Sequence, residues 1–168
     1  VNVTEYTVIY SKNEGYAKTN PIFVETEYSE DYSHVIQNFE NPNPDKWQIK
    51  SLDEIIYEKN QVKDWRDFKE KYGDSWQIIR FNLKKNYALE NAERVISLNT
   101  LQKPSKEIQE IIDKSKKEKG KFFVLKREGY STIICYNGRT CAFFSSKFKI
   151  ISGKEVPSEI LTNFWDDI

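Results

Sequence analysis

The chain has 168 residues, of which 38% are hydrophobic and 31% charged, and a chain of this length buries about two-thirds of its unfolded surface without metals or disulfides. Ten Phe, ten Tyr and four Trp exclude a disordered composition, and no apolar run approaches the roughly 20 residues of a membrane helix. The 26 Lys and Arg balance the 26 Asp and Glu overall, but residues 1–74 carry a net −6, residues 75–154 a net +10 and residues 155–168 a net −4.

The first predicted strand is Tyr6-Thr7-Val8-Ile9-Tyr10, closed by turn-forming Ser11 to Gly15, and a second short strand follows at Ile22 to Glu25. Ser29 is placed to cap a helix carrying Tyr32, Val35, Ile36 and Phe39, which ends at Asn41-Pro42-Asn43-Pro44-Asp45. Ser51-Leu52-Asp53-Glu54 matches the S-x-x-E capping box and starts the next helix, with Leu52, Ile55 and Ile56 on one face. Val62, Trp65, Phe68 and Tyr72 continue a helical stripe up to Gly73, with Trp65 and Phe68 as its core anchors.

Trp76 to Leu83 alternates as a strand would, with Ile79, Phe81 and Leu83 on one side. Ala88, Leu89, Ala92, Val95 and Ile96 mark a further helix, and Ile108, Ile111 and Ile112 another, between Pro104-Ser105 and Gly120. Beyond Lys121 the pattern is β, with turns at Glu128-Gly129 and Asn137-Gly138; Asn-Gly is the strongest short hairpin signal because both residues tolerate positive φ. Ser158 is placed to cap a short terminal helix through Phe164 and Trp165. Strands gathered late in the order point to an α+β fold, a single domain over residues 1–168. It is expected to hold an antiparallel sheet with a C-terminal β-meander (strands near 121–127, 130–136, 139–145 and 147–152) packed with about five to six helices.

A two-residue turn at Asn137-Gly138 sets Tyr136 opposite Arg139 and Cys135 opposite Thr140, so Cys135 and Cys141 point to opposite faces and remain free thiols. Free thiols and the absence of a basic-then-apolar leader at Val1 to Glu5 point to a soluble, cytoplasmic protein.

Catalytic motifs are missing. His34 is the only histidine, so histidine-based acid–base or zinc chemistry has one ligand to work with, and that residue falls on an exposed helical position near Glu30 and Asp31. Neither G-x-G-x-x-G nor G-x-x-x-x-G-K-[ST] occurs. Glu25 with Glu27, or Asp53, Glu54 and Glu58, are the carboxylate groups open to a divalent ion, without a diagnostic pattern.

What remains is basic and aromatic. Lys116, Lys119, Lys121, Arg127, Tyr130, Tyr136, Arg139 and Lys149 are the candidate contacts for an acidic partner, the cations meeting phosphates and the Tyr rings stacking on unpaired bases. The competing explanation is a solvated helix face, since Lys106 with Glu110, Glu110 with Lys114 and Asp113 with Lys117 are i,i+4 partners. The reading is a non-enzymatic binding module with no cofactor, no metal and no membrane contact, whose partner is nucleic acid or an acidic protein. The alternatives are a metal-dependent nucleic-acid-processing enzyme using carboxylates, and a protein-binding adaptor or inhibitor.

Overall fold

Adjacent Val35 and Ile36 are both fully buried, which a strand achieves by pointing neighbouring side chains to opposite covered faces. They lie in a computed structural model that describes residues 23–151 and 154–160. In chain order the elements are β1 (Phe23–Glu25), β2 (His34–Gln37), β3 (Gln48–Ser51), α1 (Leu52–Lys59), α2 (Trp65–Tyr72), α3 (Trp76–Glu90) and β4 (Val95–Asn99). Then come α4 (Lys106–Lys117), β5 (Phe122–Arg127), β6 (Tyr130–Tyr136), β7 (Arg139–Phe143), β8 (Phe148–Ile151) and β9 (Lys154–Ile160). Six strands form an antiparallel sheet in the order β3-β2-β4-β7-β6-β5, and three form a second in the order β1-β9-β8. The fold is α+β. None of its described helices is long and apolar enough to cross a membrane.

The expected five to six helices are a miscount: the described residues hold four α-helices and nine strands in two sheets. The stretch after Ser29 is not a helix but leads into β2, and Asn38, at φ +56, turns the chain out of it. Its apolar spacing arose from a strand buried on both faces. Trp76 to Leu83 is the reverse error, for it begins α3, whose inward stripe includes Arg80 and Lys84 and so does not read as apolar. The helix expected across Ala88 to Ile96 is divided, its first part closing α3 and its last opening β4.

The expected meander keeps three of its four strands, β5, β6 and β7, while β8 crosses to the second sheet and pairs with β9. Ser158 caps nothing; it lies within β9 and its hydroxyl donates to the Lys147 carbonyl at 2.9 Å. The strand expected at Tyr6 to Tyr10 and the residues beyond 160 lie outside the described residues.

Other local signals hold. Ser51 and Glu54 close both halves of the capping box on α1, and Gly73, at φ +59, follows α2. Phe68 is fully buried, whereas Trp65 is 49% exposed and is not a core anchor.

Each face of the six-stranded sheet has its own cover. On one, Leu52, Ile55, Ile56, Phe68, Tyr87 and Ala88 from α1, α2 and α3 close over Val35 and Val95. On the other, Ile36, Ile96, Phe122 and Ile134 pack beneath Phe39 and Trp47, which the loop between β2 and β3 lays across the strands. The α4 helix rests on β5, β6 and β7. None of its apolar side chains joins the Phe39–Trp47 cluster, so it covers the opposite face, where Cys135 is fully buried.

Candidate polyanion-binding surface

The basic run starts on α4. Ser105 caps its first turn, Ile108 is buried against the sheet, and Lys114, Lys116 and Lys117 occupy the last turn, where cations favour the negative end of the helix dipole. Ser115 stands seven residues after Ile108, on the same stripe, and is fully buried. Its hydroxyl oxygen accepts the Gly138 backbone N–H at 2.9 Å and donates to the Ile112 carbonyl at 2.9 Å.

The chain then leaves the helix through Gly120, at φ +80, whose N–H donates to Asn137 Oδ1 at 2.8 Å. Asn137 at φ +49 and Gly138 at φ +80 make the two-residue turn, and the register is Tyr136 opposite Arg139 and Cys135 opposite Thr140. A side chain on Gly138 would place its Cβ 3.2 Å from Lys116 Cβ, so the turn and the end of the helix are in close contact.

These bonds gather Lys116, Lys119, Lys121 and Arg139 around one end of the sheet, and all four are exposed. Lys121 pairs with Glu118 at 2.9 Å, which holds its ammonium above the ordinary lysine range through that hydrogen bond. None of the three i,i+4 pairs expected along the helix closes as an ion pair, and Asp113 instead accepts from Gln109 Nε2 at 2.9 Å. Tyr136 lies cross-strand from Arg139, half-buried, with its ring against Phe122 at a centroid distance of 4.6 Å. One face of that ring is already occupied.

The other three predicted contacts lie elsewhere. Arg127 and Tyr130 are cross-strand partners at the far end of the β5–β6 hairpin, with the guanidinium 5.3 Å from the ring centroid and Tyr130 74% exposed. Lys149 is on β8 in the second sheet, 5.5 Å from the Phe23 ring centroid. Five of the eight residues thus lie around one end of the sheet, Tyr136 and Arg139 on the face opposite α4. Sequence reading missed Ser115, whose only signal was a small polar residue at an apolar stripe position.

His34 is on β2, half-buried, with Nδ1 3.0 Å from Ser33 Oγ. Burial, and then the positive charge of Arg139, push its pKa below the ordinary histidine value, while Glu54 opposes the shift. Burial also pushes the Cys135 thiol up to about 11 and the Cys141 thiol up to about 12. Both cysteines are free.

Of the two carboxylate groups weighed for metal binding, Asp53, Glu54 and Glu58 have other partners, while Glu25 and Glu27 are exposed. Asp53 accepts two 2.6 Å hydrogen bonds from Arg80, Glu54 closes the capping box, and Glu58 pairs with Lys50. Among the described residues no three His, Cys, Asp or Glu are placed closely enough to hold one metal ion. No family model, no curated protein and no solved structure matches this chain.

Proposed function

We propose that this chain is a binding module for a polyanionic partner, nucleic acid before an acidic protein, and that it engages that partner through the end of the sheet bearing the Asn137-Gly138 turn. The observation that carries the reading is the gathering of Lys116, Lys119, Lys121 and Arg139 around one turn, with Glu118 as the carboxylate paired among them. A phosphate chain crossing this end displaces condensed counterions for each charge neutralised, which supplies affinity without sequence preference. Tyr136 offers a ring edge and part of one face beside Arg139, which suits an unpaired base better than a duplex groove. Binding is favoured over cleavage because one of the two carboxylate groups open to a divalent ion, Asp53 with Glu54 and Glu58, is held by Arg80, a helix cap and Lys50.

The test is fluorescence anisotropy with labelled single-stranded DNA and RNA at low salt. Reversing Lys119→Glu together with Arg139→Glu is expected to weaken binding at least tenfold, and Lys149→Glu, on the other sheet, to leave it within about twofold, since each tenfold is about 1.4 kcal/mol. Equal effects of the two changes would refute this placement of the site.

A further inference from the structure

Away from the basic end, the described residues line a cleft of about 550 Å3 with Phe39 and Phe148 in its wall and Glu40, Glu90, Glu93 and Glu155 around it. All four carboxylates are exposed, and among the described residues none of them forms an ion pair. The one cation in the lining, Arg94, spends its guanidinium on Asn91 Oδ1. Helix α3 ends at Glu90 with no basic residue in its last turn, so a carboxylate sits at the negative end of the helix dipole, against the usual preference. The lining therefore carries four carboxylates against one guanidinium, a net excess of three negative charges.

Its position relative to the basic turn follows from the strand order. Glu93 and Arg94 lie just before β4, Ser145 just after β7, and Phe39 and Glu40 just after β2, so the cleft is at the end of the sheet where Ile96 faces Phe143. Arg139 opens β7 at the other end, where Asn99 faces Thr140. The two poles are separated by the length of β7, about 17 Å for a five-residue strand. A molecule cannot fill its own cleft with its own turn. It can fill that of a neighbour.

We propose that copies of this chain associate head to tail, the basic end bearing Lys116, Lys119, Lys121 and Arg139 seating in the acidic cleft of the next copy. The contact is heterologous, since different patches meet, and it therefore propagates into short chains or closes into a ring instead of stopping at a two-fold dimer. Lysine and arginine suit this receptor because their methylene stems lie along apolar surface such as Phe39 and Phe148 while their charged ends reach the rim. The same cations serve the polyanion surface proposed above, so nucleic acid and a neighbouring copy compete for them. The association itself is protein to protein and is tested with no nucleic acid present.

Sedimentation equilibrium of the full chain provides the test. Wild type is expected to show a concentration-dependent mass above that of one chain at about 0.01 M salt and the mass of one chain at about 1 M, as the Debye length falls from about 30 to about 3 Å. Glu90→Lys with Glu93→Lys, and separately Lys119→Glu with Arg139→Glu, should each remain at the mass of one chain at low salt. An equimolar mixture of the two should associate again, because each supplies a pole that the other needs. The milder Glu93→Gln and Lys119→Gln, which introduce no opposite charge, should weaken association in the same direction and stand in for a reversal that fails to fold. A wild type at the mass of one chain throughout the low-salt range would overturn the proposal, as would variants that associate like wild type or a mixture that does not reassociate. Failure there leaves the anisotropy test of polyanion binding untouched.

Discussion

The hydroxyl of Ser115 accepts the backbone N–H of Gly138 at 2.9 Å, and through that bond the helix carrying Lys116 is fixed to the hairpin carrying Arg139. The geometry of the basic end depends on this junction more than on any lysine within it. Replacing Ser115 with Ala leaves a partly buried backbone donor without its partner and is expected to cost about 1 kcal/mol, the low end of the range for an unsatisfied buried group. Gly138→Ala should also destabilise, by more than the roughly 1 kcal/mol scale of ordinary glycine effects, because its φ is +80 and its new Cβ would press on Lys116 at 3.2 Å. Urea unfolding of both variants checks this, and wild-type midpoints would show that the junction does not hold the two elements together.

Arg80 and Lys84 on α3 meet Asp53 on α1 and Glu30 before β2, at 2.6 Å for Arg80–Asp53 and 3.3 Å for Lys84–Glu30. The Lys84 side chain is 3% exposed, so its charge depends on these partners. Asp53→Ala removes the carboxylate shared by both cations and is expected to cost about 2–4 kcal/mol, set by loss of charge-assisted hydrogen bonds and an uncompensated buried cation. A loss below about 0.5 kcal/mol, the range of ordinary surface substitutions, would mean that water replaces Asp53 and that the network is not structural.

The same network explains what the sequence concealed. An α-helix whose inward stripe contains Arg80 and Lys84 looks polar until the opposing carboxylates are known, and those come from residues 30 and 53, far away in the chain. Val35 and Val95 read as parts of helices because each is followed by a second buried β-branched residue, a pattern that a strand covered on both faces shares with a helix segment. Signals contained within a few residues were legible: the Ser51–Glu54 capping box, the Asn137-Gly138 turn and its register, and the opposed cysteines. For the candidate surface, composition located the basic segment but could not tell which cations converge. Lys116, Lys119, Lys121 and Arg139 are brought to one end of the sheet because α4 docks on the turn, whereas Arg127 and Lys149 are carried away by the length of β5 and by the crossing of β8 to the second sheet.

Phe68 is fully buried beside Tyr57 and Tyr72, with ring centroids at 5.5 and 4.5 Å. Phe68→Ala should therefore cost about 3–5 kcal/mol. Trp65→Ala, at a half-exposed position, should cost distinctly less. Chemical denaturation of the two variants would reveal a misplaced α2 if the order were reversed.

His34 gives the protein a pH dependence of known sign. Its pKa is lowered in the folded state, chiefly by burial and next by Arg139, so the unfolded chain takes up a proton at a higher pH than the folded one. Above the unfolded value of about 6.5 both states are neutral there and the group has no effect. As pH falls below that value stability is lost, until the folded histidine is protonated too. His34→Gln should flatten the decline in urea midpoint on going from about pH 7.5 to about pH 5, the interval around that unfolded value. An unchanged slope in the variant would assign the decline to other groups.

The salt dependence of single-strand binding tests the functional reading most directly. With four cations at the turn end, log affinity should fall linearly with log salt at a slope of about −3, from about −0.7 per phosphate neutralised. Reversing Lys119 and Arg139 to Glu should reduce that slope by about 1.4, two phosphates' worth. A protein that does not retain single-stranded nucleic acid at low salt, or one whose slope is the same with both charges reversed, would contradict the assignment of this surface.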